Sequence, residues 1–493
     1  MDRTVTMGRG LSFMARRQIR KDRAFLRIVL LFTVTWDVIA ARSLAEGGRS
    51  AATLPANAVP LPGQTEYPVI GRAQTVAVVK EAIGATFRES IQRPLHSLRM
   101  VIGRSTERLG VRARELTSRL GSARPAAHHA DTGDGNLDAR LGSPPIPANL
   151  TLLTSSEAAV QGLLAQISAA KCRVDLMIYG WEDDPTGREV GDALAVAARR
   201  GVRVRLLVDR GGFLIHNPAA AKHQPTFLDR LATVPGVTVI EPTDSFLRFD
   251  HRKLAVIDGT TAWSGGMILT EVARKSWENL AFLAQGPIVG QYAAVFEERW
   301  RDVGGVPAGP LTFANTTTTP NANVRLIGTD AGDRSLKSTI YHAIDHARHH
   351  IYLENPYFSD TILAEKLIAA SGRGVDVRVI VTLRGNVPRL NHYVVLTANR
   401  LRRGGVHVYL APGMTHVKAM SADGVWAYLG TGNFDELSLR NNREVGLSVI
   451  SPGIVSELDR SIFLPDFHED EELTAPMPWP KDWIKLELLK LWF

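Results

Sequence analysis

One constellation is written twice in this chain, and the duplication constrains the fold more than any other feature. The first copy reads HRKLAVIDGTTAWSGG from His251 to Gly266, and the second reads HVKAMSADGVWAYLGTGN from His416 to Asn433. Histidine, lysine, aspartate and the first glycine of the following turn recur at the same offsets in both. A reactive motif repeated in register implies two copies of one structural unit, with a site between them that holds both histidines.

The repeat extends beyond the motifs. Residues 163–184 align with 339–360, and residues 193–209 align with 366–382. The helical parts carry apolar residues at 3.6-residue spacing, while 202–208 and 375–381 alternate apolar with charged residues as strands do. Arg200-Gly201-Val202 and Arg373-Gly374-Val375 stand at matching junctions, where glycine stops a helix before a strand. The expected fold is α/β, with two tandem lobes related by a pseudo-twofold axis. Each lobe is a mixed sheet flanked by helices, and the active site lies between them.

The residue types in the motif point to phosphoryl chemistry. Leu254 to Ile257 reads as a short buried strand, with His251 and Lys253 presented together ahead of it. Histidine can attack phosphorus or donate a proton near neutral pH, and lysine supplies positive charge to non-bridging oxygens. Two facing copies give His251 and His416 as nucleophile and acid, in either order, of an in-line double displacement, with Lys253 and Lys418 stabilising the transition state. Such a scheme requires no metal and no cofactor. Glu278 and Glu444 follow their histidines at nearly the same distance and are the expected orienting carboxylates. Asp258 and Asp423 complete the motif, and because each precedes a glycine they are expected to pin the turn after the strand.

These residues resemble the phospholipase D superfamily, with its paired HxK(x)4D motifs. HRKLAVIDG, LENPYF (353–358) and GTGNFDELSLRNNREVGL (430–447) are most similar to bacterial cardiolipin synthases and related phosphatidyltransferases, over residues 148 to 467. The resemblance implies that Asp258 and Asp423 belong with the catalytic motifs. It also implies that Gly266, Thr431 and Asn433 line the phosphate site, with Asn355 and Tyr357 beside it. One position departs from the pattern: Ile268 stands where the family usually has asparagine.

Composition sets further bounds. With 493 residues, 45% of them hydrophobic, the chain can bury two cores and is not a disordered protein. Its single cysteine, Cys172, excludes an intramolecular disulfide and reads as a packing residue before a strand. The net charge of +8 favours an anionic partner, which the resemblance implies is phospholipid on a membrane surface. Nucleic acid is disfavoured, because no basic stripe is interleaved with aromatic residues.

The sequence divides into five parts: 1–45, 46–147, 148–315, 316–467 and 468–493. The first has basic residues from Arg16 to Arg27, an apolar run from Ile28 to Trp36 and the tripeptide Ser43-Leu44-Ala45. It reads as an export signal, with a single membrane anchor or a cytoplasmic basic arm as alternatives. The second contains linkers around a basic helix-prone stretch, Thr75 to Leu120, which suits either a membrane surface or docking on the lobes. The third and fourth are the lobes. The last is a Trp-rich amphipathic tail with Trp483, Leu486, Leu489 and Trp492 near one face, suited to a membrane interface. The functional expectation is phosphatidyl transfer through a phosphohistidine, from phosphatidylglycerol to cardiolipin plus glycerol. A hydrolytic phospholipase D, a nucleic-acid phosphodiesterase and a non-catalytic membrane scaffold are the alternatives.

Overall fold

The structure, a computed structural model, describes residues 72–93, 144–244, 248–309, 311, 319–330 and 332–478. The expectations for the N-terminal signal or anchor, the later part of the basic stretch and the Trp-rich tail lie outside these residues.

The first half contributes β1 (Ile146–Leu153), β2 (Arg173–Ile178), β3 (Arg203–Val208), β4 (Val237–Ile240), β5 (Leu254–Ile257), β6 (Thr261–Gly265) and β7 (Ala281–Gln285). The second contributes β8 (Ala322–Thr329), β9 (His350–Glu354), β10 (Asp376–Thr382), β11 (His407–Ala411), β12 (Ala419–Ala422), β13 (Trp426–Gly430), β14 (Glu444–Ile450) and β15 (Glu471–Glu472). All fifteen join in one mixed sheet, ordered β15-β11-β10-β9-β12-β13-β14-β8-β1-β7-β6-β5-β2-β3-β4. The seam is antiparallel, with Ile146 opposite Val324 and Ala148 opposite Ala322. Outward from the seam the two halves run through their strands in the same sequence, which is the pseudo-twofold relation drawn as topology. The two sheets expected from the repeat are thus fused edge to edge, and each covers what would otherwise be an exposed edge of the other.

Helices cover the sheet: α1 (Arg72–Gln92), α2 (Ser156–Ala169), α3 (Pro185–Arg199), α4 (Arg210–His216), α5 (Ile288–Asp302), α6 (Ser335–His346), α7 (Thr361–Gly372), α8 (Pro388–Arg403) and α9 (Leu464–Glu469). Local sequence sets their ends. Ser155 caps α2 by accepting the Ala158 N–H, and Asp184 caps α3 by accepting the Gly187 N–H, with Pro185 at the first helical position. The Arg-Gly-Val junction does the same work in both halves. Gly201 and Gly374 adopt φ of 95° and 91°, and the preceding arginines reach back to the end of an earlier helix. Arg200 donates to the carbonyls of Ile167, Ser168 and Ala170, and Arg373 to those of Ile344 and Ala347.

Three apolar cores result: one under each lobe's helical face, and one spanning the seam. The central core contains Phe282, Tyr292, Phe296 and Trp300 from the first half with Leu429, Leu447 and Phe463 from the second, so the halves share a hydrophobic interior. Helix α1 docks on the first half. Gln74 donates to the Ile215 carbonyl at 2.6 Å, and Val78 packs into that half's core. Cys172 is exposed, contrary to the packing expectation, because it stands in the turn ahead of β2 rather than on the strand. Among the described residues, no helix is long and apolar enough to cross a membrane.

Candidate active site

Each histidine sits just before a short buried strand, β5 or β12, and its backbone is held by the opposite half. The His251 N–H donates to the Arg443 carbonyl at 3.0 Å, and the His416 N–H donates to the Glu278 carbonyl at 2.7 Å. The next residue in each supporting segment then meets the imidazole. Glu444 lies 2.9 and 3.0 Å from His251 Nδ1, and the Asn279 Oδ1 lies 2.9 Å from His416 Nδ1. Each histidine therefore takes its orienting partner from the other lobe, leaving Nε2 available for chemistry.

Glu444 stands where an orienting group was expected, but it serves the histidine of the other repeat. Its carboxylate also accepts from Thr431 Oγ1 at 2.6 Å and Ser438 Oγ at 2.7 Å. Burial opposes its charge, yet His251, Lys253 and the Thr431 hydroxyl hold its pKa below the usual value. Glu278 does not reach an imidazole. Asn279 takes that place, and counting shows why: Asn279 follows His251 by 28 residues, as Glu444 follows His416. The Asn279 Nδ2 donates to Ser156 Oγ at 2.9 Å and to the Ala273 carbonyl, which turns the amide oxygen toward His416. His416 accordingly carries its proton on Nδ1.

Lys253 and Lys418 are fully buried, and each donates back to its own motif's histidine carbonyl, at 2.6 and 2.9 Å. Burial lowers the Lys253 pKa to about 7 and takes Lys418 well below its ordinary value, with the neighbouring Lys253 lowering it further. Burial also lowers His251 to about 4, against the pull of Glu444, and takes His416 well below the ordinary imidazole value. Two lysine amines and two imidazoles are thus desolvated in one place, where positive charge is disfavoured unless an anion accompanies it.

Tyr179 meets the His251 ring edge-on at 4.7 Å, and Trp277 tilts against His416 at 5.1 Å. Gly266 lies where the backbone of the second motif passes, since a Cβ there would sit 2.7 Å from the His416 carbonyl oxygen. Thr431 reaches the site through Glu444. Asn433 is 6% exposed and keeps a buried amide oxygen that has no hydrogen-bond partner among the described residues. The Asn355 Oδ1 accepts from the Phe434 N–H at 3.0 Å, bracing the turn that carries Asn433, while the Tyr357 hydroxyl bonds to Asn386.

The motif aspartates lie at the far ends of β5 and β12 from the histidines. Asp258 accepts the N–H groups of Lys171, Cys172 and Arg173, and Asp423 those of Arg348, His349 and His350. Their φ angles of 53° and 54° fit aspartate ahead of glycine in a tight turn. One carboxylate group among the described residues could hold a cation: Glu278, Glu354 and Asp466 bring ligand atoms within 4.8 Å of one another. Burial and neighbouring carboxylates raise Glu278 to about 7 and Glu354 well above its ordinary value.

Sequence reasoning missed Asn279, Ser438, Tyr179 and Trp277. Of these only Asn279 left a signal, its matched offset, because the others reach the histidines through tertiary packing.

Two lobes of one repeat, each completing the other's histidine-lysine pair, define an enzyme of the phospholipase D superfamily. The family described as "Cardiolipin synthase, PLD-like domain" matches residues 163–300 and 340–463, more than half of the chain, and the chain belongs to it. It is 27% identical to the cardiolipin synthase A of Cronobacter sakazakii over 336 residues, covering 63% of this chain and 67% of that one. It is 26% identical to that of Edwardsiella ictaluri over 362 residues, covering 67% and 71%. Among solved structures, the phosphatidylserine synthase of Haemophilus influenzae Rd KW20 superposes with a TM-score of 0.55 at 18% identity, over 72% of this chain and 99% of that one, and so shares the fold.

Proposed function

We propose that the protein is a phosphatidyltransferase that converts two phosphatidylglycerol molecules into cardiolipin and glycerol through a covalent phosphohistidine, without a metal. The observation that carries the reading is the pair of desolvated imidazoles with Nε2 free, backed by two buried lysines. The names of the curated relatives support the choice of substrate.

The unequal backing of the imidazoles supports a division of roles. Positive charge develops on the attacking ring as its Nε2 bonds to phosphorus, and charge leaves the ring that gives up a proton. Catalysis is served by interactions that strengthen toward the transition state. A carboxylate therefore belongs behind the nucleophile, as it does behind the histidine of a serine-protease triad. That makes His251, backed by Glu444, the nucleophile, and His416, backed by the neutral Asn279, the acid. The charge of the bound phosphodiester offsets the burial that disfavours an imidazolium, so His416 takes up a proton on Nε2 as substrate enters; His251 Nε2 then attacks phosphorus, the bond to the glycerol oxygen breaks, and that oxygen takes the proton from His416 Nε2. A hydroxyl of a second phosphatidylglycerol then returns its proton to His416 and attacks phosphorus, forming cardiolipin and freeing His251.

The test is incubation with phosphatidylglycerol vesicles in excess chelator, with lipid products followed by mass spectrometry. Cardiolipin and glycerol in equal amounts are expected. Phosphatidic acid as the sole product would make water the acceptor and replace the transferase with a hydrolase, whereas activity only on added metal would overturn the metal-free scheme.

A further inference from the structure

The two half-sites differ 17 residues after each histidine: Asn433 occupies that place in the second half and Ile268 in the first. Ile268 is 3% exposed and can offer nothing to a phosphate oxygen. A third histidine stands beside it. The Nε2 of His216, the last residue of α4, lies 3.1 Å from where a Cβ on Gly180 would be, and Ile268 Cβ and Cγ2 lie 3.1 Å from the same point. Glycine at 180 thus leaves the room in which imidazole and isoleucine meet. The His216 ring contacts Tyr179 edge-on at 6.4 Å, and Tyr179 in turn meets the His251 ring at 4.7 Å. His216 also lies close enough to Lys253 and His416 to share their electrostatic field. No hydrogen bond joins its ring to another described residue.

We infer that His216 supplies, in the first half-site, the uncharged phosphate-binding N–H that Asn433 is placed to offer in the second. A neutral imidazole and a carboxamide each present an N–H without adding charge. Burial, reinforced by Lys253, lowers the His216 pKa to about 4, which keeps the ring neutral at working pH. The helix that carries the ring is anchored at its other end. Asp209 caps α4 through the Gly212 N–H at 2.7 Å and accepts the Asp250 N–H at 2.9 Å, so the helix bearing His216 is tied to the residue preceding His251. Helix α1 covers the outer side of α4.

The inference rests on the reading of the site as a phosphoryl-transfer centre, and its test is binding of orthovanadate to the full chain by calorimetry, which needs no lipid turnover. His216→Ala and His216→Phe, the second keeping a ring against Tyr179, should each weaken vanadate binding about tenfold or more, the scale of one lost hydrogen bond to an anion. Adding Ile268→Asn to His216→Ala should restore affinity to within about threefold of the parent. Parent-like binding by His216→Phe, or no recovery on restoring asparagine, would overturn the role. A parent chain that does not bind vanadate would remove the pocket and the inference with it. Normal vanadate behaviour without cardiolipin synthesis would leave His216 in place and fail only the substrate reading.

Discussion

Around His251 the supporting group is a carboxylate that gathers two hydroxyls, whereas around His416 it is an amide fixed by a serine hydroxyl and a backbone carbonyl. The backbone frames are otherwise the same, with each histidine N–H bonded to the carbonyl just before its partner residue. Topology has thus kept the symmetry while chemistry has given it up. A double displacement needs one ring that gains charge and one that loses it, and a strictly symmetric site would serve neither role well.

The comparison can be broken most sharply at the histidines. His251→Ala and His416→Ala should each lower turnover of phosphatidylglycerol on the order of 10⁴-fold or more. With a p-nitrophenyl phosphodiester, whose leaving group needs no proton, His416→Ala should recover the first step, seen as a burst of about one equivalent of nitrophenolate, and His251→Ala should show none. Recovery by His251→Ala instead would exchange the two roles.

Making the half-sites alike comes next. Glu444→Gln should cost up to about 10⁴-fold in kcat, the scale of losing a triad carboxylate. Asn279→Asp, which would steady the charge that His416 must surrender, should cost about tenfold. Equal effects in steady-state assays would refute the division of labour.

Smaller effects belong to the lysine and the turns. Lys253 is charged below its lowered pKa, so kcat/KM should fall as pH rises through about 7, and Lys253→Arg should move that limb upward. A flat profile from pH 6 to 9 would refute a titrating Lys253. Asp258→Ala and Asp423→Ala should each destabilise the fold by about 1–3 kcal/mol, by leaving strand-end N–H groups without an acceptor, with kcat unchanged in the folded fraction. Thermal melts beside active-site titration would show this, and a fall in kcat at unchanged stability would place the aspartates in the chemistry after all.

Much of this was legible in the chain. The repeat foretold the duplicated strand order, the Arg-Gly-Val junctions marked helix ends, and Leu254–Ile257 formed a strand as its apolar run required. Pairing across the lobes was not legible, because His251 and Glu444 are 193 residues apart and nothing local distinguishes a partner in the same repeat from one in the other. Glu278 drew attention as a carboxylate, yet the register that selects Asn279 is set by the backbone bond to the His416 N–H, one residue away. The fused sheet was hidden for a similar reason: an edge strand reads the same whether it ends a sheet or joins one.

The exchange of partners between the halves also governs when the enzyme becomes active. A ribosome finishes the first lobe well before it reaches Glu444, and an early-folding first lobe would hold a histidine with no carboxylate behind it. Asn279, made early, has no histidine to hold until residue 416 arrives. A nascent chain that ends before Glu444 should therefore lack the group that backs His251, and turnover should begin only once the second half has folded onto the first.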